Sequence, residues 1–453
     1  MYFCNAKRIT IVSFADFITQ YEGDDPVRLL LSRDKLRDLF PDIDLDLAVT
    51  TLEVRRKLKT KVPEWYAVPS LVYPSRLSGE QCSSSETARY KAMLAARVRR
   101  EGIPSETVAP RPLPPQAAGP SLLCGRGWPQ VSDGTPSLLR VADLTGGMGV
   151  DCWAFAEVAG EVLYNEMQEE LAEATRLNLR ELGVKNVRFS CKKAEVGDVL
   201  KVLDGFEPDV VYLDPARRAE DGRKVFLIEE CQPDVLGLLP ELFEVSRFVM
   251  LKLSPMADIT MACKRLGEPV KEVHVVAAGG ECKELLFLLD REWTGGYTVV
   301  VVEDGAVMEI PGQARNDGRM EVPREKSILF EPGKALAKAG AFNLPCSQFG
   351  MTKLGVHTHM YTCEAVPDGL APFGKWFEVV EVLSLNNRTM KEVGKRYPQA
   401  EVTARNIPMT SDMLRRKLGC ASGGDIHLFG VRVDAAEGTG NYLIVTKKRY
   451  GTD

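Results

Sequence analysis

Asp143-Leu144-Thr145-Gly146-Gly147-Met148-Gly149-Val150-Asp151 is the stretch on which the reading of this chain turns. An apolar run, Leu138 to Leu144, enters it and predicts a strand. Glycines then turn the chain, and Asp151 to Val158 starts a helix. Glycine lets the backbone approach a ligand closely, and a helix N-terminus favours a negative group. Strand–turn–helix units of this kind hold nucleotide-like ligands at the edge of an open sheet. The spacing, however, is not G-x-G-x-x-G. The glycines follow as T-G-G-M-G, and an acid, Asp143, ends the strand. A carboxylate there suits a cationic amino group and suits a pyrophosphate badly.

Outward from this turn the pattern repeats. Val162 to Asn165 predicts a second strand, Gln168 to Leu182 a helix, Val187 to Ser190 a third strand, Val210 to Leu213 a fourth and Phe248 to Leu253 a fifth. Alternating strands and helices imply a parallel sheet with helices on both faces. Glu166 lies just past the second strand, 17 positions after Gly149, where an acid can accept two ribose hydroxyls. The fourth strand ends in Asp214-Pro215-Ala216-Arg217-Arg218, at the carboxyl edge where open sheets place ligands. Proline there holds its neighbours still, and the two arginines could clamp a phosphate. The charge of Asp143, Glu166 and the Asp214-Pro215 corner together narrow the ligand to S-adenosylmethionine.

Residues 1–105 read as helical. Phe14, Phe17, Ile18 and Tyr21, and then Leu29, Leu30, Leu36 and Leu39, recur at helical spacing, and Ser83 with Glu86 fits a capping box. Seven prolines fall within 106–137, a linker or insertion. After the fifth strand, Val273 to Ala277, Glu284 to Leu289 and Tyr297 to Val302 are short and hairpin-like. The segment 311–324 is a polar excursion, and Asn441 to Thr446 ends the chain as a β-like edge. The 453 residues carry 11 cysteines without a C-x-x-C pair, so no metal site is expected. His357 and His359 lack a third ligand in the sequence. No apolar run approaches the roughly 18 residues that span a bilayer, and the first residues lack a signal-peptide pattern, which predicts a cytoplasmic chain without a membrane partner. The net charge of −5 is uneven: residues 331–453 hold 16 Lys and Arg against 12 Asp and Glu, leaving 42 against 51 elsewhere. A basic C-terminal part suggests an anionic partner.

Asp143 to Asp151, Glu166 and Asp214 to Arg218 resemble the first, second and fourth motifs of class I methyltransferases. More specifically, the chain resembles a bacterial methyltransferase family, well represented in Bacteroidetes, with ferredoxin-like and THUMP-like C-terminal parts. The likeness is carried by Tyr73-Pro74-Ser75-Arg76-Leu77-Ser78-Gly79-Glu80-Gln81-Cys82-Ser83-Ser84-Ser85-Glu86-Thr87-Ala88 and by the glycine run itself. It extends through Leu213 to Arg218, Lys252-Leu253-Ser254-Pro255-Met256, Glu281-Cys282-Lys283-Glu284-Leu285-Leu286, Glu331-Pro332 and Ala404-Arg405-Asn406-Ile407-Pro408. The resemblance implies an α/β fold with a Rossmann-like class I sheet, a helical N-terminal region and an α+β C-terminal domain. The implied limits are 1–105, 106–137, 138–277 for the methyltransferase domain, 278–330 for the ferredoxin-like subdomain and 331–453 for the THUMP-like domain.

It further implies a donor pocket of Asp143, Thr145, Gly146, Gly147, Gly149 and Glu166, an adenine-side contact near Ala194-Glu195, and closure of the 80–92 segment over the donor. Asp214 and Pro215 are the expected catalytic pair, with Arg217, Arg218 and Lys252 toward the acceptor. An RNA acceptor follows from the THUMP-like part, with Arg415-Arg416-Lys417 and Lys447-Lys448-Arg449 as basic clusters and Tyr361, Phe373, Trp376, Phe377 and Tyr397 available to stack on bases. Where class I amino-methyltransferases carry an aromatic after Asp-Pro, Ala216 and Arg217 stand here, which leaves the acceptor atom open. Cys282, between acids, is a candidate nucleophile for carbon methylation. A small-molecule or protein acceptor, and a non-catalytic RNA-binding protein on the same fold, remain alternative readings.

Overall fold

Four-residue β1 (Arg140–Asp143) is buried along Val141, Ala142 and Asp143, because it lies between two other parallel strands. The structure, a computed structural model, describes residues 11–102, 138–217, 227–310, 320–436 and 438–449. The 106–137 insertion therefore lies outside the described residues, as does 311–319 of the polar excursion. The described residues form two compact units. The first comprises 11–102, 138–217, 227–273 and 285–297; the second comprises 274–284, 298–310, 320–436 and 438–449.

In the first unit β1 is joined by β2 (Glu161–Asn165), β3 (Val187–Ser190), β4 (Val210–Leu213), β5 (Phe248–Leu253) and the parts 270–273 of β6 (Val270–Ala278) and 285–290 of β7 (Glu281–Asp290). Their order is β3-β2-β1-β4-β5-β7-β6. β1 to β5 are parallel, with Val141 opposite Val162 and Val210, and Val210 opposite Phe248. β7 runs antiparallel to β5, Leu253 facing Leu285. The order reverses between β1 and β4, and a ligand site is expected at the carboxyl ends there. The five predicted parallel strands thus form as read, within two residues of the expected ends.

The N-terminal helices share this core. Val54 and Leu58 of α1 (Leu45–Lys61) and Ala88, Ala92 and Ala95 of α2 (Ser85–Gly102) are buried in one cluster with Trp65, Tyr73 and Trp153. Trp153 belongs to α3 (Val150–Val158), which leaves the glycine turn. The opposite end of α1, through Leu45, Ala48, Val49 and Leu52, packs on Phe14, Phe17 and Ile18. Leu29 and Leu36 are buried, but Leu30 and Leu39 are exposed, so the predicted stripe is narrower than read.

The expected capping box is displaced by one residue. Ser84 Oγ accepts from Thr87 N, and Thr87 Oγ1 accepts from Ser84 N. Ser83 is instead drawn into a buried ionic cluster described below.

The second unit holds a seven-stranded sheet, in the order Thr352–Lys353, Tyr361–Cys363, Ile328–Pro332, Gly374–Ser384, Gly438–Lys448, Ile426–Ala435, Glu401–Arg405. Gly438–Lys448 lies between two long strands, so the expected C-terminal edge is an interior strand. Its side chains alternate. Leu443 and Val445 pack with Met390, Val393 and Leu414 of two helices, whereas Ile444 packs with Leu329, Phe377 and Phe429. Tyr361, Phe373, Trp376 and Phe377 are buried here, and Tyr397 is packed against the core. The expectation that these rings stack on bases is corrected: burial in this sheet satisfies their apolar surface.

Candidate functional site

The turn after β1 is built around its glycines. A Cβ on Gly146 would stand 2.1 Å from the Tyr164 ring, and one on Gly149 2.4 Å from Thr175 Cγ2. Gly147 and Gly149 also hold φ of +52° and +84°, where L side chains are strained. Tyr164 OH and Thr175 Oγ1 donate to Gly147 O at 2.6 and 3.1 Å. Asn165 Nδ2 donates to Leu144 O at 3.1 Å. The loop is thus clamped from β2 and from α4 (Glu169–Glu181).

Around it the expected donor residues converge. Asp143 is fully buried; its Oδ1 accepts from Thr145 N at 3.1 Å, and its Oδ2 has no hydrogen-bond partner. Burial first, and then the charges of Asp151, Asp214 and Glu166, push this carboxyl well above its ordinary value despite the Thr145 hydrogen bond. Glu166 Oε2 accepts from Gly147 N at 3.0 Å and Oε1 from Gln168 N at 2.9 Å, which ties the second motif to the first. Thr145 Oγ1 accepts from Asp214 N at 2.6 Å, which ties the fourth motif to it as well. Asp214 Oδ2 is ion-paired to Lys252 Nζ from β5. Pro215 is buried between.

Glu195 stands apart from these bonds. Its carboxylate is half exposed and paired to Lys193, while neighbouring Ala194 is the buried residue. Arg217 continues as backbone in a two-residue strand facing Cys231, but its side chain and the whole of Arg218 lie outside the described residues.

Three participants escaped the sequence reading. Lys91, fully buried in α2, lies 3.0 Å from Asp151 Oδ1 in the first turn of α3 and donates to Ser83 Oγ at 2.7 Å. Ser83 Oγ and Tyr212 OH both donate to Asp151 Oδ2, at 2.9 and 3.0 Å. Burial pushes the Asp151 carboxyl up, but Lys91, Lys252 and the Ser83 hydrogen bond outweigh it and hold it below the ordinary value. The 80–92 segment thereby reaches the first motif. The signal available in sequence was the shared Ser83–Lys91 stretch, but nothing in its spacing announced Asp151 as the partner.

The chemistry of this set favours a cation. Asp143, Asp151, Glu166 and Asp214 outnumber Lys91 and Lys252, and one buried carboxylate oxygen lacks a donor. An ammonium group satisfies that oxygen; a pyrophosphate cannot. Cys282 does not join the set. Burial, opposed by Lys338 and aided by Glu303 and Glu284, raises its thiol to about 11, the reverse of an activated nucleophile. His359 stacks on Phe342 with ring centroids 3.7 Å apart. Among the described residues no group of three or more His, Cys, Asp or Glu could hold a metal ion.

Residues 329–369 match a ferredoxin-like domain family and residues 374–448 a THUMP domain-like family. The sequence reading had placed the ferredoxin-like part at 278–330, upstream of the match. A crystal structure of a candidate methyltransferase from Porphyromonas gingivalis W83 is similar over 97% of this chain and 98% of that one, with 28% identity and a TM-score of 0.75. An rRNA methylase from Streptococcus thermophilus matches over 34% of this chain and 86% of its own, at 14% identity and a TM-score of 0.26. A Streptococcus mutans candidate methyltransferase solved with S-adenosylhomocysteine matches over 34% of this chain and 89% of its own, at 14% identity and a TM-score of 0.25. No curated protein matches the chain. The chain thus shares its fold with a methyltransferase candidate along nearly its whole length and carries ferredoxin-like and THUMP-like domains in its C-terminal part.

Proposed function

We propose that this enzyme methylates a base in RNA, in tRNA or rRNA, with its donor held by Asp143, Thr145, Gly146, Gly147, Gly149 and Glu166 and its adenine end near Ala194 and Glu195. The observation that carries the donor assignment is the unpartnered, fully buried Asp143 Oδ2 at the carboxyl end of β1. When bound, the donor supplies an electrophilic methyl carbon, whose bond to sulfur breaks as the acceptor lone pair bonds to it, the sulfur keeping the electron pair and the acceptor later losing its proton. Asp143 receives the donor's ammonium. Glu166 is held still by Gly147 and Gln168 and keeps lone pairs for ribose hydroxyls. Alignment is the main demand of such a displacement. Asp214, fixed through its N–H by Thr145 and through its carboxylate by Lys252, orients an acceptor N–H. Pro215 stiffens that corner, and Arg217 and Arg218 meet an acceptor phosphate.

RNA is favoured by the THUMP-like match and by the exposed basic residues Arg416, Lys417, Lys447, Lys448 and Arg449. We place the helical region at 1–105, the linker or insertion at 106–137 and the methyltransferase domain at 138–277. The 278–330 segment connects to the matched C-terminal domains. No helix among the described residues is long and apolar enough to cross a membrane.

Incubation with labelled donor and RNA from a strain lacking the gene, followed by nucleoside mass spectrometry, tests this reading. A single methylated nucleoside restored by the enzyme is expected. Label in protein or in a small molecule, with none in RNA, contradicts it. Asp214→Ala should keep donor affinity and lower transfer by about 10²–10⁴-fold; retained turnover removes Asp214 from its role.

A further inference from the structure

Residues 54–100 carry 11 Lys and Arg against 3 Asp and Glu, the opposite of the chain's net charge of −5. The structure shows where these cations go. On α2, Arg89 is consumed by Glu64 and Glu157, Lys91 by Asp151, Arg97 by Glu272 and Arg99 by Asp209. Arg55 is buried against Glu22. The others whose side chains are described lie elsewhere: Arg56, Lys57, Lys59 and Lys61 on the C-terminal half of α1, and Arg76 on the helix Arg76–Gln81. That helix packs on α1, with Gly79 against Val54, Lys57 paired to Glu80 and Lys61 Nζ donating to Glu80 O at 2.7 Å. Glu53, paired to Arg76, and Glu80 are the acids on these two helices facing the five cations.

Stabilising a helix C-terminus calls for cations in its last turn, which Lys59 and Lys61 supply. Arg56, which donates to Asp24 O, and Lys57, paired to Glu80, lie a turn earlier and exceed that need. Lys61 reaches Cys82, whose thiol is pushed up by burial and pulled down by Lys61, and which feels the charges of Asp151 and Lys252 beyond it. Lys252 in turn is paired to Asp214. Exposed cationic side chains thus lie on α1, and Lys252 stands separately at the Asp214 corner. Leu77 is 60% exposed beside Arg76, and Tyr66, beneath Arg55 and Lys59, adds an aromatic ring.

We propose that the exposed face of α1 and of the helix Arg76–Gln81, through Arg56, Lys57, Lys59, Lys61 and Arg76, binds the phosphate backbone of the RNA acceptor. This rests on the RNA reading above and adds to it a second contact surface, distinct from the THUMP-like domain. Phosphate contacts fix register without reading sequence, and they make affinity depend steeply on salt.

The test compares the full-length protein with R56E/K57E/K59E, and with the milder R56Q/K57Q/K59Q as a guard against misfolding. Fluorescence anisotropy with labelled unfractionated bacterial tRNA is read between 50 and 200 mM salt, and donor affinity is read by calorimetry. Both variants should bind donor as wild type does. The glutamate variant should bind tRNA at least 10-fold more weakly, and the glutamine variant should lose about 2–3 from the slope of log affinity against log salt. Wild-type tRNA affinity and slope in both variants overturns this surface alone. If the wild-type protein itself fails to bind tRNA, the RNA reading falls and this inference with it.

Discussion

Asp143 is held in a setting that opposes its own ionisation: it is buried, one oxygen is unpaired, and three further carboxylates lie near. A folded-state value raised above the unfolded one means that the native state keeps its proton longer. Stability from that group is complete below the ordinary carboxyl value of 3.8, and is lost as pH rises toward the folded value. At neutral pH the unliganded protein therefore carries a cost that a donor ammonium would relieve. Asp143→Asn should raise the melting temperature of the unliganded protein at pH 7 by about 2–4 °C, since an unsatisfied buried charge is replaced by a neutral group. The same variant should lose donor binding. In the wild type, donor affinity should climb as pH rises through the folded value of Asp143, because binding favours the ionised form. Calorimetry as a function of pH checks this; a flat profile in wild type contradicts it. Gly146→Ala should also weaken donor binding, because the new methyl meets the Tyr164 ring. Donor affinity unchanged in that variant would show that the loop's shape is not required.

At the scale of elements, α2 and α3 are joined through Lys91 and Asp151, both shut from solvent. Removing one partner leaves an uncompensated buried charge, so Lys91→Met should cost about 3–5 kcal/mol, measured by denaturant unfolding. Lys91→Met with Asp151→Leu should recover most of it. Additive losses in the double variant would mean that the two helices are held by other contacts. Because Asp151 has a lowered folded value, its contribution is present above the ordinary carboxyl range and is lost as pH falls through that folded value.

These elements also show what the sequence could disclose. The parallel strands were legible because continuous apolar runs ended in an acid, a glycine turn or an Asp-Pro. The Lys91–Asp151 pair was not, since a lysine in a basic helix reads as a surface residue until the fold encloses it. The Ser83 cap failed for the same reason: its hydroxyl had a stronger partner, 68 residues away. Gly438–Lys448 read as an edge because it ends the chain, yet its place in the sheet depends on pairing with Gly374–Ser384 and Ile426–Ala435.

Over the whole molecule, charge is partitioned rather than summed. The net value of −5 conceals a basic 54–100 segment and a basic 331–453 region. Most aromatics that looked available for bases are structural, so the proposed RNA contact through the C-terminal domain would fall to exposed cations. Lys447→Glu with Lys448→Glu should weaken tRNA binding and flatten its salt dependence while leaving donor affinity unchanged, read by anisotropy and calorimetry. Equal tRNA affinity would separate the THUMP-like domain from RNA binding.

The central claim is that the donor sits at the end of β1 against Asp143. Isothermal titration of the intact chain with S-adenosylmethionine tests it most directly, in wild type and in Asp143→Ala, with circular dichroism as the check on folding. One-to-one binding by wild type, absent from a folded Asp143→Ala, is the result predicted. Wild-type affinity in that variant, or no binding by the wild-type protein, would contradict it.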